Sequence, residues 1–210
     1  MIRIEHPSVM VPCRYHERKD GVKVKIAELD PMDDPQTILS KLEAKCSSET
    51  RLIALSHIQF SCGLRLPIKE INDMAHKNGA LVLWDGAQTA GQIYLNMHEL
   101  NCDFYATPGH KWLMGPDGTG ALFIRQDLIS MIEPIRVGGS LLSSPTEDNA
   151  ISRQENIGSI TKFRLSTQSG PLLAAQAQAI AFVQEIGIRE IEERARFLGS
   201  VMRSALSEIE

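Results

Sequence analysis

The stretch Leu81–Gly120, LVLWDGAQTAGQIYLNMHELNCDFYATPGHKWLMGPDGTG, decides the fold. It holds two short apolar runs, Ala80–Trp84 and Phe104–Ala106, each with polar chemistry just beyond it. Asp85 follows the first run and His110-Lys111 the second. As strands of one parallel sheet, the runs bring an acid and a lysine to its carboxyl edge, where open α/β sheets hold their ligands.

Upstream, Leu52-Ile53-Ala54-Leu55 reads as another buried strand, with Ser56-His57-Ile58-Gln59 at its carboxyl end. Pro67 suits a first helical turn, Ile68, Ile71, Met74 and Ala75 recur at helical spacing, and Gly79 suits the left-handed residue that ends a helix. Strand, helix, strand is a parallel crossover unit, and such units need helices on both faces of the sheet. The fold class is therefore α/β, with a mainly parallel sheet flanked by helices. Downstream, Gly115-Pro116-Asp117-Gly118-Thr119-Gly120 makes a turn into a further strand, Ala121–Ile124.

Nearer the start, Val22, Val24 and Ile26 alternate with Lys23 and Lys25, the period of a half-buried edge strand. Asp33-Asp34-Pro35 leads into a short helix over 36–45 with an apolar side of Ile38, Leu39 and Leu42. A polar stretch from Gly138 to about Ser159 reads as a mobile loop. Helices over 171–186 and 188–210 close the chain, and their aliphatic stripes (Leu172, Ala175, Ala179, Val183, Ile186; Ile191, Ala195, Leu198, Met202, Ala205) are expected to be core.

With 210 residues, 43% hydrophobic and 23% charged, the chain can bury a sizeable core. A net charge of −4 with scattered basic residues leaves no electrostatic footprint for nucleic acid or an anionic membrane. No run approaches a membrane span and the first residues lack a secretory core, so a cytoplasmic location is expected. Cys13, Cys46, Cys62 and Cys102 form no CxxC pair, so no metal site is indicated and each reads as a small buried apolar residue.

Asp85 and Lys111 have a specific joint use. Pyridoxal phosphate needs a lysine amine for a Schiff base and a carboxylate that keeps its ring nitrogen protonated. The alternative is that Asp85 caps a helix and Lys111 is a loop cation. The wording around the pair favours the first: Asp85-Gly86-Ala87-Gln88, Asp103-Phe104-Tyr105, Gly109-His110-Lys111 and Gly115-Pro116, with Glu5-His6 upstream, resemble the class V aminotransferase family. That family includes cysteine desulfurases, selenocysteine lyases and isopenicillin N epimerase-like enzymes.

The resemblance implies a three-layer large domain of the PLP-dependent transferase type over 1–186, with 187–210 leading toward a small domain. By it Lys111 is the Schiff-base lysine and Asp85 pairs with the pyridine nitrogen. His6 lies flat against the ring, Gln88 bonds the ring hydroxyl, and His110 sits by the phosphate. Gly139 and Thr167 approach the phosphate across a homodimer interface. The substrate is a small amino acid.

Departures from the family pattern fall at the phosphate and ring ends. Pro108 stands where desulfurase-like members place a phosphate-binding serine, leaving Thr107 to substitute, and Phe60 stands where an asparagine is expected. The family's upstream phosphate loop and most of its small domain have no counterpart in the sequence. Three functions remain open at this stage: a PLP enzyme that desulfurates, epimerises or transfers an amino group; a truncated, catalytically weak remnant that serves as a partner or structural subunit; and an unrelated doubly wound domain binding another phosphate ligand.

Overall fold

The computed structural model describes residues 1–136 and 159–209. Helices α1 (Pro7–Asp20) and α2 (Pro35–Glu43) precede strand β1 (Leu52–Ser56). There follow α3 (Ile68–Lys77), β2 (Leu81–Asp85), β3 (Phe104–Pro108), β4 (Gly120–Ile124), α4 (Gly170–Ile186) and α5 (Ile188–Ser207). The sheet order is β1-β2-β3-β4, parallel across β1/β2 and β2/β3 and antiparallel across β3/β4.

The first two helix starts follow from local chemistry. Asp34 caps α2 by accepting from the Thr37 N–H at 2.8 Å, with Pro35 in the first turn. His6 caps α1 through Nδ1, which accepts from the Ser8 N–H at 3.2 Å. Gly79 takes φ +72° just after α3, as its position predicts.

The main core packs α2 and α3 against β1 and β2, with Ile38, Leu42, Leu55, Ile71, Val82 and Trp84 all buried. Trp84 satisfies its indole N–H on Asn72 Oδ1 at 2.8 Å, and Asn72 donates to Leu100 O at 2.7 Å. Asp103, fully buried, ties the start of β3 to three elements. It accepts from the Val82 N–H at 2.8 Å and from Arg125 Nη1 at 2.6 Å, and pairs with His76 Nε2 at 2.9 Å. This network accounts for an acid at the start of the Asp103-Phe104-Tyr105 motif: it fixes the strand that leads to Lys111.

Three expectations need correction. The alternating segment Val22–Ile26 is extended but forms no strand ladder. Its neighbour is Met1–Arg3, joined by a single parallel bridge between Ile2 and Ala27, so the alternation has little to pair with and Val22 is exposed. The stripes of α4 and α5 are not core among the described residues: in α4 Gln176 and Val183 are buried, in α5 none, and Leu172, Ile186, Leu198 and Met202 are exposed. Helical spacing marks a face that can be covered, and here the described elements cover it at Val183 but leave most of it open. Of the cysteines Cys102 alone is buried, while Cys62 is exposed. No described helix is long and apolar enough to cross a membrane, and the polar stretch after Gly138 lies outside the described residues.

His57, 1% exposed, follows β1, and its Nδ1 lies 3.0 Å from Tyr105 Oη. Burial, with Arg65 nearby, pushes its pKa down to about 3. The fold thus favours neutral imidazole: that stability is complete above the ordinary value of 6.5 and is lost as pH falls toward 3. Between pH 7 and pH 5 the wild type is expected to lose about 2 kcal/mol more than His57→Gln, read from urea midpoints. Equal losses would remove His57 from the account. Glu5, whose carboxyl burial pushes up, acts in the opposite direction on acidification in both proteins and cancels in the comparison.

Candidate active site

The parallel register puts Ser56, Asp85 and Ala106 in one row at the carboxyl edge of the sheet. The chain then leaves β2 through Gly86, whose N–H donates to Ala106 O at 2.7 Å. A Cβ on Gly86 would lie 1.9 Å from Tyr105 Cε1, so a residue without a side chain is required there. Tyr105 is held beneath by His57 and by Thr89 Oγ1, which also donates to Gly86 O at 2.8 Å. Burial pushes the Tyr105 hydroxyl well above its ordinary pKa, so it remains a neutral donor.

Asp85 is half-buried. Its Oδ1 accepts from the Ala87 N–H at 2.9 Å, and its Oδ2 lies 3.4 Å from the Ser8 hydroxyl oxygen, a long contact. Ser8 Oγ lies 2.7 Å from His6 Nδ1, and since that nitrogen accepts from the Ser8 N–H it also takes the hydroxyl proton, which places the His6–Ser8 pair beside Asp85. The neighbouring Glu5 anchors that arrangement: buried, it accepts from the Ser56 N–H at 3.0 Å and the Ser56 hydroxyl at 2.6 Å. Phe60 meets the His6 ring edge-on with centroids 5.0 Å apart, so it packs against His6 where an amide had been expected.

Gln88 joins Asp85 to the lysine turn. Its Oε1 accepts from Trp112 Nε1 at 2.8 Å, which leaves the amide N–H₂ to donate elsewhere. Lys111 is half-buried between His110 and Trp112, with no carboxylate paired to it among the described residues. Gly91, at φ +90°, runs so close to this turn that a Cβ would lie 2.3 Å from Trp112 O.

The remaining candidates are less engaged. Thr107 Oγ1 lies 3.4 Å from both Gly86 O and Pro108 O. His110 Nδ1 is 3.8 Å from Asp117 Oδ1, an exposed pair. Thr167 is exposed ahead of α4 and is not brought to the others, and Gly139 lies outside the described residues. Sequence reasoning missed Ser8, and it gave His57, Tyr105 and Trp112 no stated role in this arrangement. Trp112 carried a signal in being next to Lys111, His57 in its place at a strand end and Tyr105 in its motif; Ser8 carried none without the fold.

The donor set suits pyridoxal phosphate at its ring: a carboxylate for a protonated ring nitrogen, an amide donor for a ring oxygen, an imidazole beside the carboxylate, and an amine. The backbone at Gly86, stripped of a Cβ, lets the chain turn closely there. Of the residues expected near a phosphate, those described that offer a side-chain donor are Thr107 and His110. An acid and a lysine at the carboxyl edge of a mainly parallel sheet define the large-domain frame of PLP-dependent enzymes.

The chain belongs to the aminotransferase class-V family, whose pattern matches residues 1–210. Pyridoxal phosphate is the cofactor of that family. A probable cysteine desulfurase of Methanothermobacter thermautotrophicus is 31% identical over 208 residues, covering 99% of this chain and 50% of its own. The apo cysteine desulfurase of Thermococcus onnurineus NA1 superposes with a TM-score of 0.86 at 27% identity, over 99% of this chain and 50% of that one. A mutant of C-DES with glycine covalently linked to its PLP cofactor superposes at 0.78, with 27% identity over 93% of this chain and 50% of that one. The chain spans about half the length of these relatives.

Proposed function

We propose that this chain holds pyridoxal phosphate through Lys111 and acts on a small amino acid, with cysteine desulfuration favoured over epimerisation or amino transfer. The observation that carries the reading is the convergence of Asp85, Gln88 and the Lys111 turn at one sheet edge, locked by the Trp112–Gln88 hydrogen bond. The cysteine desulfurases among its relatives support the choice of reaction.

When bound, the cofactor supplies an electron sink for the substrate carbon that carries the amine. Lys111 Nζ would hold the cofactor and, when free of it, would accept the proton from that carbon. Asp85 would hold a proton on the ring nitrogen, Gln88 would donate its free amide N–H to a ring oxygen, and His6, set against Ser8 and Phe60, would lie against the ring. Thr107 and His110 would serve the phosphate. The reading includes a cytoplasmic homodimer in which Gly139 and Thr167 serve the partner's phosphate, and the exposure of Thr167 supports such a role. It also divides the chain at Gly187, where φ is +98° between α4 and α5, into a cofactor domain and the start of a second.

Asp85→Asn tests this. The amide cannot stabilise a protonated ring nitrogen as a carboxylate does, so turnover is expected to fall about ten- to a hundredfold while visible absorbance of bound cofactor persists. Unchanged turnover in an assembly that desulfurates cysteine would contradict the role of Asp85.

A second reading, a catalytically weak remnant acting as a partner subunit, draws on the thin phosphate end. Two missing charge-assisted hydrogen bonds weaken binding about a hundredfold or more. Titrating the chain with pyridoxal phosphate separates the readings: tight stoichiometric binding with steady turnover rejects the remnant, and weak binding without turnover favours it.

A further inference from the structure

One of the two buried side chains of α4 is polar. Gln176, 9% exposed, reaches from the second turn of α4 into the turn that carries Lys111. That turn closes on itself: the Gly109 N–H donates to Thr119 O at 2.8 Å, the Gly115 N–H to Gly109 O at 2.8 Å, and the Met114 N–H to Lys111 O at 3.0 Å. The Gln176 amide fills the space these bonds leave. A Cβ on Gly109 would lie 1.9 Å from Gln176 Oε1, and one on Gly115 would lie 1.8 Å from the same atom. The two glycines flanking His110-Lys111 are thus the residues that admit the amide.

The contact is polar as well as close. Thr119 Oγ1 lies 2.6 Å from Gln176 Oε1 and 2.6 Å from Pro116 O. A hydroxyl has one proton to give. With the amide turned so that its N–H₂ faces Thr119, the hydroxyl donates to Pro116 and accepts from Gln176, so its single proton is committed once, while the other end of the amide has no hydrogen-bond partner among the described residues. On its opposite side the turn meets the Gly91 backbone and the Gln88 side chain. It is therefore gripped from both sides, by the segment after Asp85 and by α4.

We propose that Gln176 is a positioning residue: its amide, seated between Gly109, Gly115 and Thr119, fixes the turn that presents Lys111 Nζ at the sheet edge near Asp85. The inference rests on the reading of Lys111 as the cofactor lysine. An aliphatic side chain would fill the same space but would leave the Thr119 hydroxyl without its amide partner and the turn free to shift.

The test is borohydride trapping of pyridoxal phosphate on the full chain at subsaturating cofactor. Peptide mass spectrometry reads the labelled fraction at Lys111, with the exposed Lys19 and Lys69 as internal references. Gln176→Leu and Thr119→Val are each expected to lower Lys111 trapping about five- to tenfold, as the loss of one hydrogen bond predicts, with the references unchanged. The double variant is expected to trap no less than the weaker single, because both changes remove one interaction. Thr119→Ser, which keeps the hydroxyl, is expected to restore wild-type trapping. Wild-type trapping in Gln176→Leu, multiplied effects in the double variant, or a Thr119→Ser protein as poor as Thr119→Val would overturn the proposal while leaving Lys111 as the cofactor lysine. Wild-type label that avoids Lys111 would instead overturn the reading beneath it, and this inference with it.

Discussion

Lys111→Ala is expected to abolish covalent capture of pyridoxal phosphate and to lower any amino-acid turnover about 10²- to 10⁴-fold or more, the usual worth of a positioned proton-transfer group. The residue sits three positions past the end of β3, in a turn whose neighbours are fixed on both sides, and no carboxylate among the described residues engages it. Methyl for aminobutyl removes the covalent holder and the base together, while Asp85, Gln88 and His6 keep their places. The variant should therefore fold with the wild-type melting temperature and fail in chemistry. A melting temperature unchanged and a turnover unchanged, taken together, would exclude Lys111 from the reaction.

Gly86→Ala carries the largest expected cost in stability. The new methyl would sit 1.9 Å from Tyr105 Cε1 and 2.6 Å from Cζ, and Tyr105, at 2% exposure, has no room to swing away. Moving the ring breaks its contacts with His57 and Thr89 and drags the exit of β2, on which Asp85 rides. Overpacking plus two disturbed buried hydrogen bonds costs about 2–4 kcal/mol, which for a chain of this size lowers the melting temperature by about 5–15 °C. Pairing the change with Tyr105→Leu opens space for the methyl and should recover part of the loss. If Gly86→Ala melts with the wild type, the close approach at the end of β2 is not a constraint on the fold.

What the sequence made legible was whatever depends on short-range pattern. The runs 52–55, 80–84, 104–106 and 121–124 became strands because apolar runs bounded by turn residues have few other uses, and the helix after Pro67 was marked at both ends. Asp85 and Lys111 were legible because strand ends of a parallel sheet share an edge. The helix Pro7–Asp20 was not, since it carries Pro12 inside it and buries none of its residues, so no apolar stripe announced it. Val22–Ile26 misled for the converse reason: alternation records which faces a strand would have, and only a neighbour makes it a strand. The stripes of α4 and α5 likewise record faces that the described elements, apart from the burial of Val183, leave uncovered. Long-range polar contacts, such as Glu5 on Ser56, Thr119 on Gln176 and Arg65 with Tyr94 on Glu192, leave no local signature, because each partner alone reads as an ordinary surface residue.

The central claim is that Lys111 is the amine that holds pyridoxal phosphate, and reduction answers it most directly. The purified chain is incubated with the cofactor, reduced with borohydride and digested, and the phosphopyridoxyl peptide is sequenced by mass spectrometry. The account predicts the label on Lys111, in the peptide that also contains Gly109 and His110, and its disappearance in Lys111→Ala. A label carried mainly by another lysine, with Lys111→Ala labelled as strongly as the wild type, would contradict it.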